Sequence, residues 1–416
     1  MSEPLVAPRP SDDGRGPLPV WDVERSRGKG CKRWSTYPRS VLDLGVAEMD
    51  VSLSPEVAAA VREAARAEAF GYPVPDARST VPAATARWMG RLGLDVGPDA
   101  VRLVPDVMRG IAVAIRRLTR PGSSVLVPTP TYTRFLEVVP LTGRRCVQVP
   151  LTDGPHGSRL DLDRIRDGLA AGAGSVLLCN PVNPVGAVIR DDQLTSLSEL
   201  ADHYGARVIV DEVHAPLRYG GRFRPYAALD ARTREHAVTV TSATKAWNFP
   251  GLRTAMVVLT NSADRDAWDA LRHLETIGAS PLGMVATTAA LDHGEGWLRA
   301  VMKDLSAARD LVRDHLEAAG LPDLWRPPDA TYFAWLDLRR WEPERPGAYL
   351  LERAGVAVGE GAGYGAAGAG FVRLNFASPP HVLSEALERI TGVLHDERKF
   401  QGRAQKNGHR PPEESS

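Results

Sequence analysis

Cysteine is scarce in this 416-residue chain: Cys31, Cys146 and Cys179 are widely spaced and form no CxxC pair. Three such residues make neither a disulfide framework nor a cysteine zinc site, and with no HExxH pattern no metal is expected. No run approaches 18 consecutive apolar residues, which excludes a conventional transmembrane helix. Residues 1–19 carry Asp12, Asp13 and several prolines but no apolar core of a secretory signal. A charge excess is also missing. The 51 basic residues cancel 51 acidic ones without a long block of either sign, so neither nucleic acid nor an anionic membrane is an expected partner. Hydrophobic residues at 43% and charged residues at 25% give enough apolar material for a sizeable core and exclude a disordered scaffold. A soluble, cytoplasmic protein is expected, with two or three units at about 150 residues each.

Lysine is the most informative scarcity. Of the 51 basic residues, 45 are arginine and only six are lysine: Lys29, Lys32, Lys245, Lys303, Lys399 and Lys406. Five of them sit in polar or amphipathic segments. Lys245 alone lies in an apolar, turn-like setting, within Val238-Thr-Val-Thr-Ser-Ala-Thr-Lys-Ala-Trp-Asn-Phe-Pro-Gly-Leu-Arg253. An amine can lose its proton and condense with a carbonyl, whereas a guanidinium effectively cannot. The competing reading is a surface lysine kept by chance.

The first 40 residues, rich in Pro, Gly and Arg, read as an extended arm. Ser54-Pro55 opens a helix over 55–70, with Ser54 as N-cap and Pro55 at the first helical position. From about residue 100, short β-branched runs at 101–104, 124–128, 175–179, 207–211, 237–241 and 255–259 alternate with helical patterns at 107–118, 160–170 and 191–204. These runs are nearly all apolar, as in a parallel sheet covered by helices on both faces. The expected organisation is α/β. Residues 1–50 form an arm belonging to a small domain, 51–285 a large α/β domain, 286–400 a smaller α+β domain, and 401–416 a disordered tail. The small domain should hold strands around 332–338 and 370–376 and a last helix over 382–394.

Two motif matches fail on context. Gly363-Tyr-Gly365-Ala-Ala-Gly368 fits GxGxxG but has no buried strand before it and no helix after it, so it reads as a flexible loop. Ser242-Ala-Thr-Lys245 fits the SxxK of penicillin-recognising hydrolases, whose SDN and KTG partners are absent. In open α/β sheets ligands bind beyond the carboxyl ends of the strands. The polar residues at those ends are Asp106, Tyr132, Asn180, Asn183, Asp211, His214, Ser242 and Lys245. An amine beside a buried acid in such a crevice suits pyridoxal phosphate, whose aldehyde takes the lysine and whose ring nitrogen takes the acid.

These residues resemble a known family, the class I/II aminotransferases among the fold-type I pyridoxal-phosphate enzymes, and within it the MalY/PatB-type cystathionine β-lyases. The likeness runs over residues 25–398. Gly45-Val-Ala-Glu-Met-Asp50 resembles the subgroup's VADMD element, Phe70-Gly-Tyr-Pro73 its FGY motif and Leu178-Cys-Asn-Pro-Val-Asn-Pro-Val-Gly186 its NPxNPTG loop. Asp211-Glu-Val-His214 resembles DEIH, and Gly370–Ala377 the RLNFA strand. The resemblance implies a large domain with a mostly parallel seven-stranded sheet between helices, a smaller α+β domain, and a homodimer with shared active sites.

It also implies roles. Lys245 anchors the cofactor and then serves as the base at the substrate Cα, in a desolvated setting with Trp247, Phe249 and Pro250. Asp211 pairs with the pyridine nitrogen, Asn183 with the phenolic oxygen, and Tyr132 stacks on the ring. Ser242, Arg253 and the backbone amides of Val107 and Met108 hold the phosphate, with Tyr72 reaching the phosphate of the partner subunit. Arg373, with Asn183, clamps the substrate α-carboxylate. Period-two alternation puts Phe371, Arg373 and Asn375 on one strand face. Three departures stand out: Asp106 replaces a small residue beside the phosphate, Val185 the usual Thr, and Glu48 the usual Asp. An Asp106 carboxylate repels a phosphate unless it turns away to cap the helix.

His214, three residues after Asp211, is the subgroup's residue where aminotransferases usually carry Tyr. It favours a lyase that cleaves S-substituted L-cysteine to a thiol, pyruvate and ammonia by α,β-elimination. An aminotransferase, which Arg253 favours, stays open, as does an oxidative or decarboxylating variant acting on a cysteine conjugate. A non-catalytic regulator fits poorly with an intact Lys245, Asp211 and Arg373.

Overall fold

The apolar runs become one seven-stranded sheet in a computed structural model that describes residues 19–154, 157–271 and 273–407. Its strands are β1 (Val101–Val104), β2 (Val125–Thr129), β3 (Cys146–Pro150), β4 (Ser175–Cys179), β5 (Arg207–Asp211), β6 (Ala237–Thr241) and β7 (Ala255–Leu259). They lie in the order β1-β7-β6-β5-β4-β2-β3. Only β7 runs against its neighbours, so the carboxyl ends of the other six and the start of β7 share one edge. The fold is the mostly parallel α/β fold expected.

Alternation along each strand divides the core. Leu126, Val176, Leu178, Val208 and Val210 join one apolar cluster. Val125, Val127, Leu177, Cys179, Ile209, Val238 and Val240 join another on the opposite face. The covering helices include α1 (Pro55–Arg66), α2 (Val81–Leu92), α3 (Val107–Leu118), α4 (Thr133–Leu141), α5 (Leu162–Ala170) and α6 (Asp191–His203). In α3 the buried Ile111, Ala114, Ile115 and Leu118 recur at helical spacing on one face. Gly110 lets that face come close. A Cβ there would lie 3.0 Å from Val240 Cγ1 and 3.0 Å from Val257 Cγ2.

Beyond β7 come α7 (Pro281–His293) and α8 (Glu295–Ala318), then β8 (Phe333–Asp337), α9 (Pro346–Ala354), β9 (Gly359–Glu360), β10 (Phe371–Asn375) and α10 (Pro380–Asn407). The second sheet has the order β8-β10-β9 and is antiparallel throughout. Trp335 lies opposite Arg373, and Phe333 opposite Asn375. Position 285 falls inside α7, so a division there cuts a continuous helix.

Several local expectations need correction. The arm is not extended throughout: Val23–Gly28 is helical, with the Asp22 side chain accepting from the Arg25 amide at its start. Leu42–Asp43 pairs in parallel with Val356–Ala357. The first long helix ends at Arg66 rather than 70. The last helix runs through Asn407, past position 401 where the tail was expected to begin. Its continuation is rich in Arg, Lys, Gln and Ala, good helix formers, and a started helix gains a hydrogen bond per residue added. Residues 408–416, the rest of the tail, and 1–18 lie outside the described residues. The glycine loop is not loose. Gly361–Tyr364 and Ala366–Gly368 form two short turns, and the Thr131 amide donates to the Tyr364 carbonyl at 2.9 Å. A Cβ on Gly365 would meet Gln148 Oε1 at 2.8 Å and Thr129 at 3.0 Å.

Candidate active site

Parallel register fixes the first part of the site. Cys179 in β4 lies opposite Asp211 in β5, and Asp211 opposite Val240 in β6, so the turns carrying Asn180–Asn183, Asp211–His214 and Ser242–Lys245 emerge side by side. Asp211 is 3% exposed and accepts from the Val213 amide at 3.0 Å. Burial pushes its carboxyl up to about 7, against the pull of that amide and of Lys245. Lys245, partly exposed as a residue, donates from Nζ to the Ala47 carbonyl at 3.0 Å. Burial is the main cause that lowers its amine to about 8. Arg373 lowers it further, while Glu48 and Asp211 raise it. The scarce lysine therefore stands where neutral amine is available near physiological pH.

The second sheet supplies the opposing wall. Arg373, 6% exposed, donates from Nη1 to Asn183 Oδ1 at 3.1 Å and from Nη2 to the Gly45 carbonyl at 2.8 Å. Its guanidinium lies 4.1 Å from the centre of the Phe333 ring and 5.2 Å from that of Tyr364. His214, also buried, packs edge-on against Tyr332 and Phe333. Burial, and then Lys245 and Arg373, lower it to about 3, so its imidazole is neutral. Tyr132 packs on Phe135 at 6.0 Å. Burial raises its phenol, while Arg373 opposes the shift.

A third group lies where β1 and β6 end and β7 begins. Val107 and Met108 are the first residues of α3, whose leading amides have no acceptor within the helix. Asp106 is the N-cap: its Oδ1 accepts from the Arg109 amide at 2.8 Å. Its Oδ2 accepts from Arg253 Nη2 at 2.6 Å. Ser242 Oγ donates to the Thr254 carbonyl at 2.6 Å, next to Arg253. Arg253 has φ +43°, a left-handed backbone uncommon outside glycine. Tyr72 stands apart, 95% exposed, with Phe70 at 66% beside it in sequence.

One backbone segment, Gly45–Asp50, stands out in the sequence as a motif without a role, because its contribution is carbonyl oxygens that no side chain reports. The run Gly45–Asp50 accepts from Arg373 at Gly45, from Lys245 and Tyr332 at Ala47, and from Asn375 Nδ2 at Val46 and Glu48, both 2.7 Å. Met49 exchanges two hydrogen bonds with the Asn248 side chain. Arg33 and Asp50, 2% and 1% exposed and 3.1 Å apart, fasten its end, with Trp34 Nε1 and Ser378 Oγ both donating to Asp50. The signals in the sequence were the motif itself and Asn248, three residues after the lysine.

The residues fit pyridoxal phosphate. An amine of lowered pKa meets an aldehyde, a buried carboxyl meets a ring nitrogen, and helix amides with Arg253 and Ser242 meet a phosphate. Two polar atoms of the inner wall, His214 Nδ1 and Arg373 Nε, are buried with no hydrogen-bond partner among the described residues, as polar atoms reserved for a ligand would be. Among the described residues no cluster of His, Cys, Asp or Glu could hold a metal ion, and no helix is long and apolar enough to cross a membrane.

Known proteins share this architecture. Cystathionine β-lyase of Corynebacterium glutamicum is 36% identical over 377 residues, 90% of this chain and 99% of that protein. Cystathionine β-lyase PatB of Bacillus subtilis is 28% identical over 85% of this chain and 92% of its own. The PLP-bound C–S lyase of Staphylococcus hominis, complexed with the inhibitor L-cycloserine, superimposes with a TM-score of 0.80 at 25% identity, covering 89% of this chain and 94% of that one. Residues 39–390, which include Lys245, Asp211, Asn183 and Arg373, match aminotransferase class I and II, and the chain belongs to that family.

Proposed function

We propose that this chain is a pyridoxal-phosphate-dependent C–S β-lyase that cleaves S-substituted L-cysteine, a cystathionine-like conjugate, to a thiol, pyruvate and ammonia. The observation that carries the reading is Lys245 at the strand-end crevice it shares with the Asp211 turn, its Nζ held 3.0 Å from the Ala47 carbonyl. The relatives described as cystathionine β-lyases, one at 36% identity over nine-tenths of the chain, support it, as does His214 three residues after Asp211. When bound, the cofactor supplies an aldehyde that links to amines and a ring that withdraws electrons from the substrate Cα.

The chain's own residues do the rest. Lys245 anchors the cofactor. Freed from that anchor, Lys245 Nζ, held near the Ala47 carbonyl, would accept the Cα proton. The electron pair of the Cβ–S bond departs with sulfur as a thiolate. The enamine left behind reacts with one water to give pyruvate and ammonia. Asp211 keeps the proton on the ring nitrogen. Arg373, braced by Asn183 and Gly45, grips the α-carboxylate. His214 and Asn183 would hold the phenolic oxygen, Tyr132 would lie against the ring, and Ser242, Arg253 and the amides of Val107 and Met108 would hold the phosphate. The reading includes a homodimer in which Tyr72, 95% exposed on this chain, reaches the phosphate of the partner subunit. It also includes a cytoplasmic location, in keeping with three free cysteines.

The test is to supply the holoenzyme with a panel of S-substituted cysteines and no oxo-acid, comparing wild type with Lys245→Ala. Thiol and pyruvate released in equal amounts by wild type alone support the lyase. Lys245-dependent cofactor binding without thiol release sinks it in favour of amino-group transfer.

A further inference from the structure

Asp106 puts a carboxylate where the proposed site has to hold a phosphate, and its contacts define what it does there. One oxygen caps α3 through the Arg109 amide, and the other takes Arg253 Nη2 at 2.6 Å. The Asp106 carboxylate and the Arg253 guanidinium are 40% and 62% exposed. The cap therefore draws the carboxylate over the helix end without removing it from the cup. It also ties it to the one guanidinium in this group.

From this we infer that Asp106 tunes the phosphate cup toward weak retention of the cofactor, an inference that rests on the pyridoxal-phosphate reading above. Summed over its side chains, the cup carries no net charge: the Arg253 cation is matched by the Asp106 anion. What remains for a phosphate dianion is the leading α3 amides, the second edge of the Arg253 fork, and the Ser242 hydroxyl only once its one hydrogen leaves the Thr254 carbonyl. Amides and hydroxyls are fixed dipoles, weaker partners than an unshared guanidinium. The Asp106 side chain, 40% exposed, would add a like charge beside a phosphate held at the α3 amides, where solvent reduces but does not remove the repulsion. Holding Arg253 in place works in the opposite direction by ordering its side chain. That gain is the entropy of one flexible chain, and the repulsion of a dianion outweighs it. The cofactor should therefore exchange with the surrounding pool, its occupancy following supply.

Asp106→Asn separates the charge from the cap, because Asn caps a helix about as well as Asp. Apo-protein is titrated with pyridoxal phosphate and, separately, with pyridoxal, which has the aldehyde and ring but no phosphate. Wild type, Asp106→Asn and Lys245→Ala are followed by absorbance, with thermal melts to verify that the cap is intact. The expected result is a dissociation constant for pyridoxal phosphate at least tenfold lower in Asp106→Asn, with that for pyridoxal unchanged. An unchanged or weaker affinity for pyridoxal phosphate overturns the inference, as does an equal tightening of both ligands. Should Asp106→Asn lower the melting temperature, Asp106→Ser, another good cap without charge, replaces it under the same criteria. Binding that is absent, or indifferent to Lys245→Ala, instead defeats the reading of the site, and this inference falls with it.

Discussion

Arg373 offers the most quantitative test of the site. Of the five N–H donors on a guanidinium, one on Nη1 goes to Asn183 and one on Nη2 to Gly45. Nε is buried without a partner. Three donors therefore remain for a substrate carboxylate, enough for a two-pronged grip. Arg373→Lys keeps the charge but offers its donors from a single point, so at least one charge-assisted hydrogen bond is lost. Such a bond contributes about 1.5–3 kcal/mol, which at about 1.4 kcal/mol per decade is a loss of roughly 10- to 150-fold in kcat/KM. The carboxylate does not change during elimination, so the loss should fall mainly on KM. The assay is steady-state thiol release from an S-substituted cysteine and from the corresponding cysteamine, which lacks the carboxylate. Wild type should prefer the cysteine strongly, and the variant should lose most of that preference. A change below threefold, or an equal loss on both substrates, would refute the clamp. Thermal melts of both proteins separate this from misfolding.

Three further outcomes follow from the same geometry. Uptake of pyridoxal phosphate by apo-protein needs the neutral Lys245 amine, so its rate should rise with pH through about 8. Glu48→Gln removes a charge that favours the ammonium form and should move that midpoint to lower pH in stopped-flow absorbance, and an unmoved midpoint argues against the assignment. Burial raises Glu212 from 4.5 to about 8. The folded state thus holds a proton that the unfolded state releases, and stability on the order of a few kcal/mol is lost as pH rises from 4.5 through about 8. In urea titrations at pH 5 and pH 8, Glu212→Gln should show a smaller loss than wild type, and an equal loss contradicts the cause given. Gly110→Ala should push α3 off Val240 and Val257 and destabilise by about 1–3 kcal/mol. No shift in the urea midpoint would mean that the helix gives way freely.

Sequence made the centre of the large sheet plain, because β4, β5, β6 and β7 are buried on both faces and carry unbroken apolar runs. β3 was missed because it is an edge strand, with one residue of Cys146–Pro150 buried and Gln148 exposed, so its pattern is diluted by solvent. α2 and α4 were missed as well. Pro82 stands in the first turn of one and Pro140 inside the other, and each reads as a break until packing is seen. Among the candidate site residues, two stood out in the sequence: Lys245 from its scarcity, Asp211 from the strand end before it. The shared guanidinium of Arg253 was not, because Asp106 is 147 positions away and their pairing depends on β7 running against β1. The Gly45–Asp50 run was legible as a motif, but the accepting role of its carbonyls was not, since every residue type has one.

That short run has a metrical consequence. Gly45 receives the guanidinium and Ala47 the amine, two residues apart on one backbone. Two residues of extended chain span at most about 7 Å. The separation of the two anchor points is set by covalent geometry, as on a ruler, instead of by the packing between the two sheets. Repacking either core can shift or tilt the ruler as a whole, but it cannot stretch the interval. Divergence in substrate side chain can therefore accumulate around the site while the spacing that recognises an α-amino acid stays fixed.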